Sequence, residues 1–117
     1  TSADKKAIKW DLKTGKQDLT FGDNGTGHDG YVTSVAINPA REGEWMITTG
    51  YDGCAIMWDI ITGAKLATFR EGGSSSMKHT GEVTSCAISP TGRWMTTAGK
   101  DKRIIIWDVK TQKSIRE

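Results

Sequence analysis

Cysteine is scarce in this sequence. The 117 residues hold two, Cys54 and Cys86, each inside an apolar, strand-like run (CAIMW and VTSCAI). Two thiols do not build a secreted disulfide framework. No metal-ligand spacing accompanies them, so no metal and no cofactor is expected. Both read as small buried thiols, and an intracellular, reducing setting, cytoplasm or nucleus, follows. An excess of charge of one sign is also missing. Sixteen Lys and Arg against fourteen Asp and Glu leave +2, so global charge selects no partner. No apolar run approaches the roughly eighteen residues of a membrane helix. The opening TSADKK has neither a signal-peptide pattern nor a methionine. No stretch sustains a helical period beyond about one turn.

What the chain does contain is a repeat. Asp4, Asp52 and Asp101 are separated by 48 and 49 residues, and Trp10, Trp58 and Trp107 show the same two intervals. Phe21 and Phe69 are again 48 apart. HDGYVTSVAINP (28–39) matches HTGEVTSCAISP (79–90) at eight of twelve positions, and WMITTGYD (45–52) matches WMTTAGKD (94–101). YVTSVAI and EVTSCAI are short, β-branched and bounded by Gly and Pro, which predicts strands. WMITTG and WMTTAG predict second strands, CAIMWDI and RIIIWDV third strands, and KLATF and QKSIRE fourth strands. Each unit therefore reads as a four-stranded antiparallel meander. The chain divides into the second half of one unit (1–21) and two full units (22–69 and 70–117).

A unit of this length with a Gly-His start and a Trp-Asp end resembles a blade of a WD-repeat β-propeller. The resemblance covers essentially the whole chain and implies an all-β fold of four-stranded blades, here an incomplete propeller. It also implies a hydrogen-bonded set in each blade: His28, Thr48, Asp52 and Trp58 in one, His79, Thr97, Asp101 and Trp107 in the next, and only Asp4 and Trp10 in the leading half. The residue types suit such a set. Indole is a donor only, carboxylate an acceptor only, and hydroxyl and imidazole can do both. The second histidine follows Lys78 rather than Gly, which predicts a looser entry turn. His, Thr and Asp also invite a hydrolase reading, but no Gly-x-Ser-x-Gly elbow is present. A set that recurs once per unit suits a fastener better than one active site.

Propellers close with about four to eight blades, so the expectation is a segment of a longer propeller whose remaining blades lie in the same chain. A short chain that assembles with copies is the alternative. The resemblance further implies a non-catalytic platform for other proteins in a multi-subunit complex, its loops carrying recognition. On the rim that holds the histidine turns, Tyr31, Tyr51 and Lys100 are candidate partner-binding residues. The GGSSS stretch there reads as a connector. The opposite rim carries Lys13, Lys16, Arg41, Lys65, Arg93, Lys110 and Lys113 against Glu42 and Glu44, a local balance of +5. Such a rim suits an acidic protein surface, RNA or a phosphoinositide. A regulatory or substrate-recruiting domain attached to an enzyme is the third function class. Trp45 and Trp94, at the start of the second strands, are expected to pack between blades.

Overall fold

The computed structural model describes residues 4–22, 27–39, 44–69 and 81–116. The ordered elements are all strands: β1 (Ala7–Trp10), β2 (Gln17–Phe21), β3 (Val32–Ile37), β4 (Trp45–Gly50), β5 (Ala55–Asp59), β6 (Lys65–Phe69), β7 (Val83–Ile88), β8 (Trp94–Gly99), β9 (Ile104–Asp108) and β10 (Lys113–Arg116). They form one two-stranded sheet, β1-β2, and two four-stranded meanders, β3-β4-β5-β6 and β7-β8-β9-β10. Every pairing is antiparallel. The two meanders share a register: Met46 faces Trp58 as Met95 faces Trp107, and Thr48 faces Ile56 as Thr97 faces Ile105.

Successive side chains of a strand point to opposite faces, and the central strands of the middle sheet are apolar on both. On one face Met46, Ile56 and Trp58 cluster with Ala7 and Phe21 of β1 and β2. On the other, Ile47, Ala55, Ala67 and Phe69 cluster with Met95, Ile105 and Trp107 of the last sheet. The middle sheet is thus sandwiched between its neighbours, which is why its strands read as near-continuous hydrophobic runs. The recurrent phenylalanine has the same explanation. Phe21 meets the Trp58 ring edge-on at 5.9 Å between centroids, and Phe69 meets Trp107 at 5.8 Å. The first two sheets each lend a last-strand Phe to the Trp of the next sheet, so Phe and Trp keep one spacing. Trp45 packs against the second cluster, and Trp94 carries the Arg93 guanidinium on its ring at 4.5 Å.

The innermost strands are joined by a hydroxyl. Pairing shifts register between Val32 and Ser34 and again between Val83 and Ser85, a bulge that re-aims the intervening threonine. Thr33 Oγ1 lies 3.0 Å from both the Thr49 carbonyl and the Thr49 hydroxyl, and it donates across to the Val83 carbonyl of the next sheet. Thr84 donates to the Ala98 carbonyl.

Replacing Phe69 by Ala removes a ring with no room to collapse. The expected loss is about 3–5 kcal/mol in urea denaturation, whereas Phe69→Leu costs less than about 2 kcal/mol. A loss of under about 1 kcal/mol for Ala would contradict the inter-sheet ring contact.

Candidate functional site

The first repeat brings His28, Thr48, Asp52 and Trp58 together from three places: the entry to β3, the body of β4 with the turn after it, and β5. Trp58 Nε1 donates to Thr48 Oγ1 at 2.9 Å. Thr48 Oγ1 lies 2.8 Å from His28 Nε2, and His28 Nδ1 lies 3.0 Å from both Asp52 oxygens. Donor chemistry orders the chain. Indole can only donate and carboxylate can only accept, so Oγ1 accepts from Trp58 and Nδ1–H donates to Asp52. The threonine proton then serves Nε2 when the ring is neutral. His28, Thr48 and Trp58 are all buried, so each of these contacts satisfies a group that water does not reach.

Asp52 is the end of the relay and the pin of a turn. Its oxygens also accept the N–H of Asp29 at 3.0 Å and of Cys54 at 3.2 Å. Burial alone would raise its carboxyl. The hydrogen bond and charge of His28, with the N–H groups of Asp29 and Cys54, outweigh burial and hold it below the ordinary value of 3.8. The turn has a fixed shape: the residue after the aspartate is left-handed in all three copies, as Lys5 (φ 70), Gly53 (φ 76) and Lys102 (φ 64). The aspartates hold it by accepting from the residue two positions on, Lys6, Cys54 and Arg103, a local bond that Asp makes readily. Gly50 makes the close approach possible. A Cβ there would stand 2.7 Å from His28 Nδ1 and 3.0 Å from Asp52 Oδ1. The requirement was visible only as a recurrence, Gly50-Tyr51-Asp52 and Gly99-Lys100-Asp101.

In the second repeat, Trp107 Nε1 donates to Thr97 Oγ1 at 2.9 Å, and Asp101 caps its turn. His79 lies outside the described residues. In the leading pair of strands Asp4 caps the same turn, but Trp10 is 55% exposed, against 2% for Trp58 and 6% for Trp107. Its flank of β1, where β4 and β8 stand in the other sheets, has no strand among the described residues.

The aspartate directly after each tryptophan does something else. Asp11, Asp59 and Asp108 each accept two backbone N–H groups of the following turn, at 2.8–3.2 Å. The Thr62 and Ile61 N–H groups hold the Asp59 carboxyl below its usual range. For Asp108 the Thr111 N–H leads; burial opposes it, and the Lys110 N–H and the Arg93 charge then add to the lowering. These three carboxylates open the very turns that carry the basic rim. Counting them against Lys13, Lys16, Arg41, Lys65, Arg93, Lys110 and Lys113 lowers its balance from +5 to +2 (five minus three). Arg93 is also engaged by Trp94, and Arg41 and Glu42 lie outside the described residues, as does GGSSS.

On the other rim, Tyr31, Tyr51 and Lys100 come together across two sheets. The tyrosine rings lie 5.2 Å apart at 40°, and the Lys100 ammonium sits 5.3 Å over Tyr51 and 2.5 Å from Glu82 Oε2. Tyr31 is 51% and Tyr51 43% exposed. Paired backbone bonds fix the turns beneath: Tyr51 N–H to the Tyr31 carbonyl and Lys100 N–H to the Glu82 carbonyl, both 2.9 Å. The Glu82 contact and charge, then Tyr51, hold the Lys100 pKa above its ordinary value. Sequence spacing does not disclose this cluster, because it joins neighbouring sheets. Among the described residues, no group of three or more His, Cys, Asp or Glu is placed to hold a metal ion. No described helix is long and apolar enough to cross a membrane.

Paired antiparallel meanders with an indole–hydroxyl–imidazole–carboxylate relay define a β-propeller blade protein. A family model described as WD domain, G-beta repeat matches residues 18–59 and 73–108, two thirds of the sequence. The chain belongs to the WD-repeat family. A comparison with curated proteins finds no match. The first matched repeat begins in β2 of one sheet and ends in β5 of the next, so a sequence repeat spans two sheets and ties them together.

Thr48→Val leaves a buried indole N–H and a buried imidazole nitrogen without partners. The expected loss is about 3 kcal/mol in urea denaturation, and a change under about 1 kcal/mol would contradict the relay. Asp52 adds a pH signature. Because its folded pKa is depressed, its contribution is full above the ordinary carboxyl value. It is lost as pH falls through the lower folded value. The stability gap between the parent and Asp52→Asn is therefore level at neutral pH and closes in acid; a gap that widens in acid would reverse the sign.

Proposed function

We propose that this chain is a non-catalytic protein–protein interaction scaffold in a multi-protein complex, working as a segment of a larger propeller whose remaining blades cover Trp10. WD repeats generally serve as interaction scaffolds and are generally non-catalytic. The observation that carries the reading for this chain is the contrast within one rim. Of the relay groups that resemble catalytic ones, His28 and Thr48 are buried and Asp52 half-buried, all bonded to one another, while Tyr31 and Tyr51 stand exposed on turns fixed from below. Exposed aromatics on rigid supports are what interfaces use as anchors. The alternatives, an RNA- or acidic-surface-binding propeller or a recruiting domain attached to an enzyme, draw less support, since the opposite rim's charge is offset by its own aspartates. The unbridged thiols support a cytoplasmic or nuclear setting: Cys54 is buried, and burial pushes the Cys86 thiol up.

Affinity capture with tagged parent and with a Tyr31→Ala/Tyr51→Ala variant tests this. The variant is expected to keep its melting temperature within about 3 °C, as surface changes of this size do, and to lose proteins that the parent retains. Identical captured proteins would contradict the tyrosine anchor.

A further inference from the structure

We infer that a second copy of this chain covers Trp10: copies associate head to tail, the open face of the last sheet in one against β1 and β2 of the next. The inference rests on the larger-propeller reading above and names the source of the covering blade.

The two internal seams are built alike. At the first, Ala7, Leu19 and Phe21 meet Ile56, Trp58 and Ile60. At the second, Ala55, Ala67 and Phe69 meet Ile105, Trp107 and Val109. The same places recur at the two ends of the array, 48 and 49 residues away. At the leading end Ile8, Trp10 and Leu12 hold the places of Ile56, Trp58 and Ile60. There Trp10 is 55% and Leu12 96% exposed. At the trailing end Ile104, Ile106 and Arg116 hold the places of Ala55, Met57 and Ala67. There Ile104 is 61% exposed, Arg116 exposed and Ile106 half-buried. Each end thus displays the half of a seam that the other end lacks. A contact between two different patches is heterologous, and it adds copies until a ring closes or a filament grows.

A two-stranded sheet suits this face. It covers the outer strands β9 and β10, where Ile104 and Ile106 lie. Directly paired residues share a face, so the inner strands present Ser85, Ala87, Thr96 and Ala98 there. Thr96 stands where the internal seam has Ile47, and small or hydroxyl side chains sit readily in water. Ala67 clusters with Trp107, so Arg116 in its place can lay its guanidinium on the Trp10 ring of the next copy. Net charge opposes the contact: residues 4–21 hold five Lys against three Asp, and residues 82–116 seven Lys and Arg against three Asp and Glu. Apolar area therefore holds the seam, and salt that screens the charges strengthens it.

Sedimentation equilibrium of the chain tests this, with Trp10→Glu and Ile104→Glu as variants. Thermal melts check that each folds like the parent, and Trp10→Ala or Ile104→Ala replaces a Glu variant that melts early. The parent's average mass is expected to rise with concentration up to about 100 µM, and to rise further with salt. Each variant alone is expected to associate at least about tenfold more weakly. An equimolar mixture of the two is expected to stop at the dimer, because only one intact Trp10 end and one intact Ile104 end can meet. A parent that stays monomeric overturns the inference, and the cover then comes from other blades. A variant that associates like the parent, a mixture that stays monomeric or grows past the dimer, or association that salt weakens also overturns it. None of these outcomes touches Tyr31 and Tyr51, so the scaffold reading stands or falls separately, on the capture experiment.

Discussion

The threonine hydroxyl beneath each tryptophan is the contact on which the blade depends. A blade must bury strands that are apolar on both faces, and a large indole in the third strand fills the space to the neighbouring sheet. Its N–H is buried with it and needs an acceptor. Thr48 and Thr97 supply one from the adjacent strand at 2.9 Å. The hydroxyl then has a proton to place, and in the first repeat the imidazole of His28 takes it, fixing the chain's entry to β3. Asp52 accepts a hydrogen bond from the imidazole Nδ1–H and fixes the turn after β4. One apolar requirement, a tryptophan between sheets, thus brings an entry loop and a turn to defined positions.

Those two segments are where Tyr31 and Tyr51 sit. Tyr31 follows His28 by three residues, and Tyr51 directly precedes Asp52. The relay therefore supports the exposed ring pair from below. Burial and display are coupled in this way, and the coupling repeats: Glu82 and Lys100 occupy the corresponding places in the next sheet as an ion pair. The rigid part of each repeat stays the same, while the residues on top change from an aromatic pair to a charged one.

The strands were legible because their signal is strong. β-branched and aromatic runs recur at a fixed interval, and each of the eight runs read as a strand carries one in the structure. The residue types of the relay were legible for the same reason, as matching positions in two repeats. Which atoms meet was not, since spacing carries no geometry. The second aspartate shows the limit. Asp59 follows Trp58 directly, yet its carboxylate takes no part in the relay and caps the next turn at the opposite rim. Leaving Asp11, Asp59 and Asp108 out of that rim made it read as more basic than it is. Contacts between sheets, such as Thr33 to Val83 and Lys100 to Tyr51, join residues about fifty positions apart; Tyr51 and Lys100 even hold equivalent places in two repeats, but a repeat interval does not say that such places touch. His79 lies outside the described residues, so the second relay is defined from Trp107 to Thr97.

Hydrogen exchange of the indole protons, followed by NMR, tests the central claim most directly. The account predicts that the Trp58 and Trp107 Nε1 protons exchange far more slowly than that of Trp10, and that Thr48→Val accelerates Trp58 while leaving Trp107 slow. Equal exchange of all three indoles, or a Trp58 proton indifferent to the loss of the Thr48 hydroxyl, would contradict it.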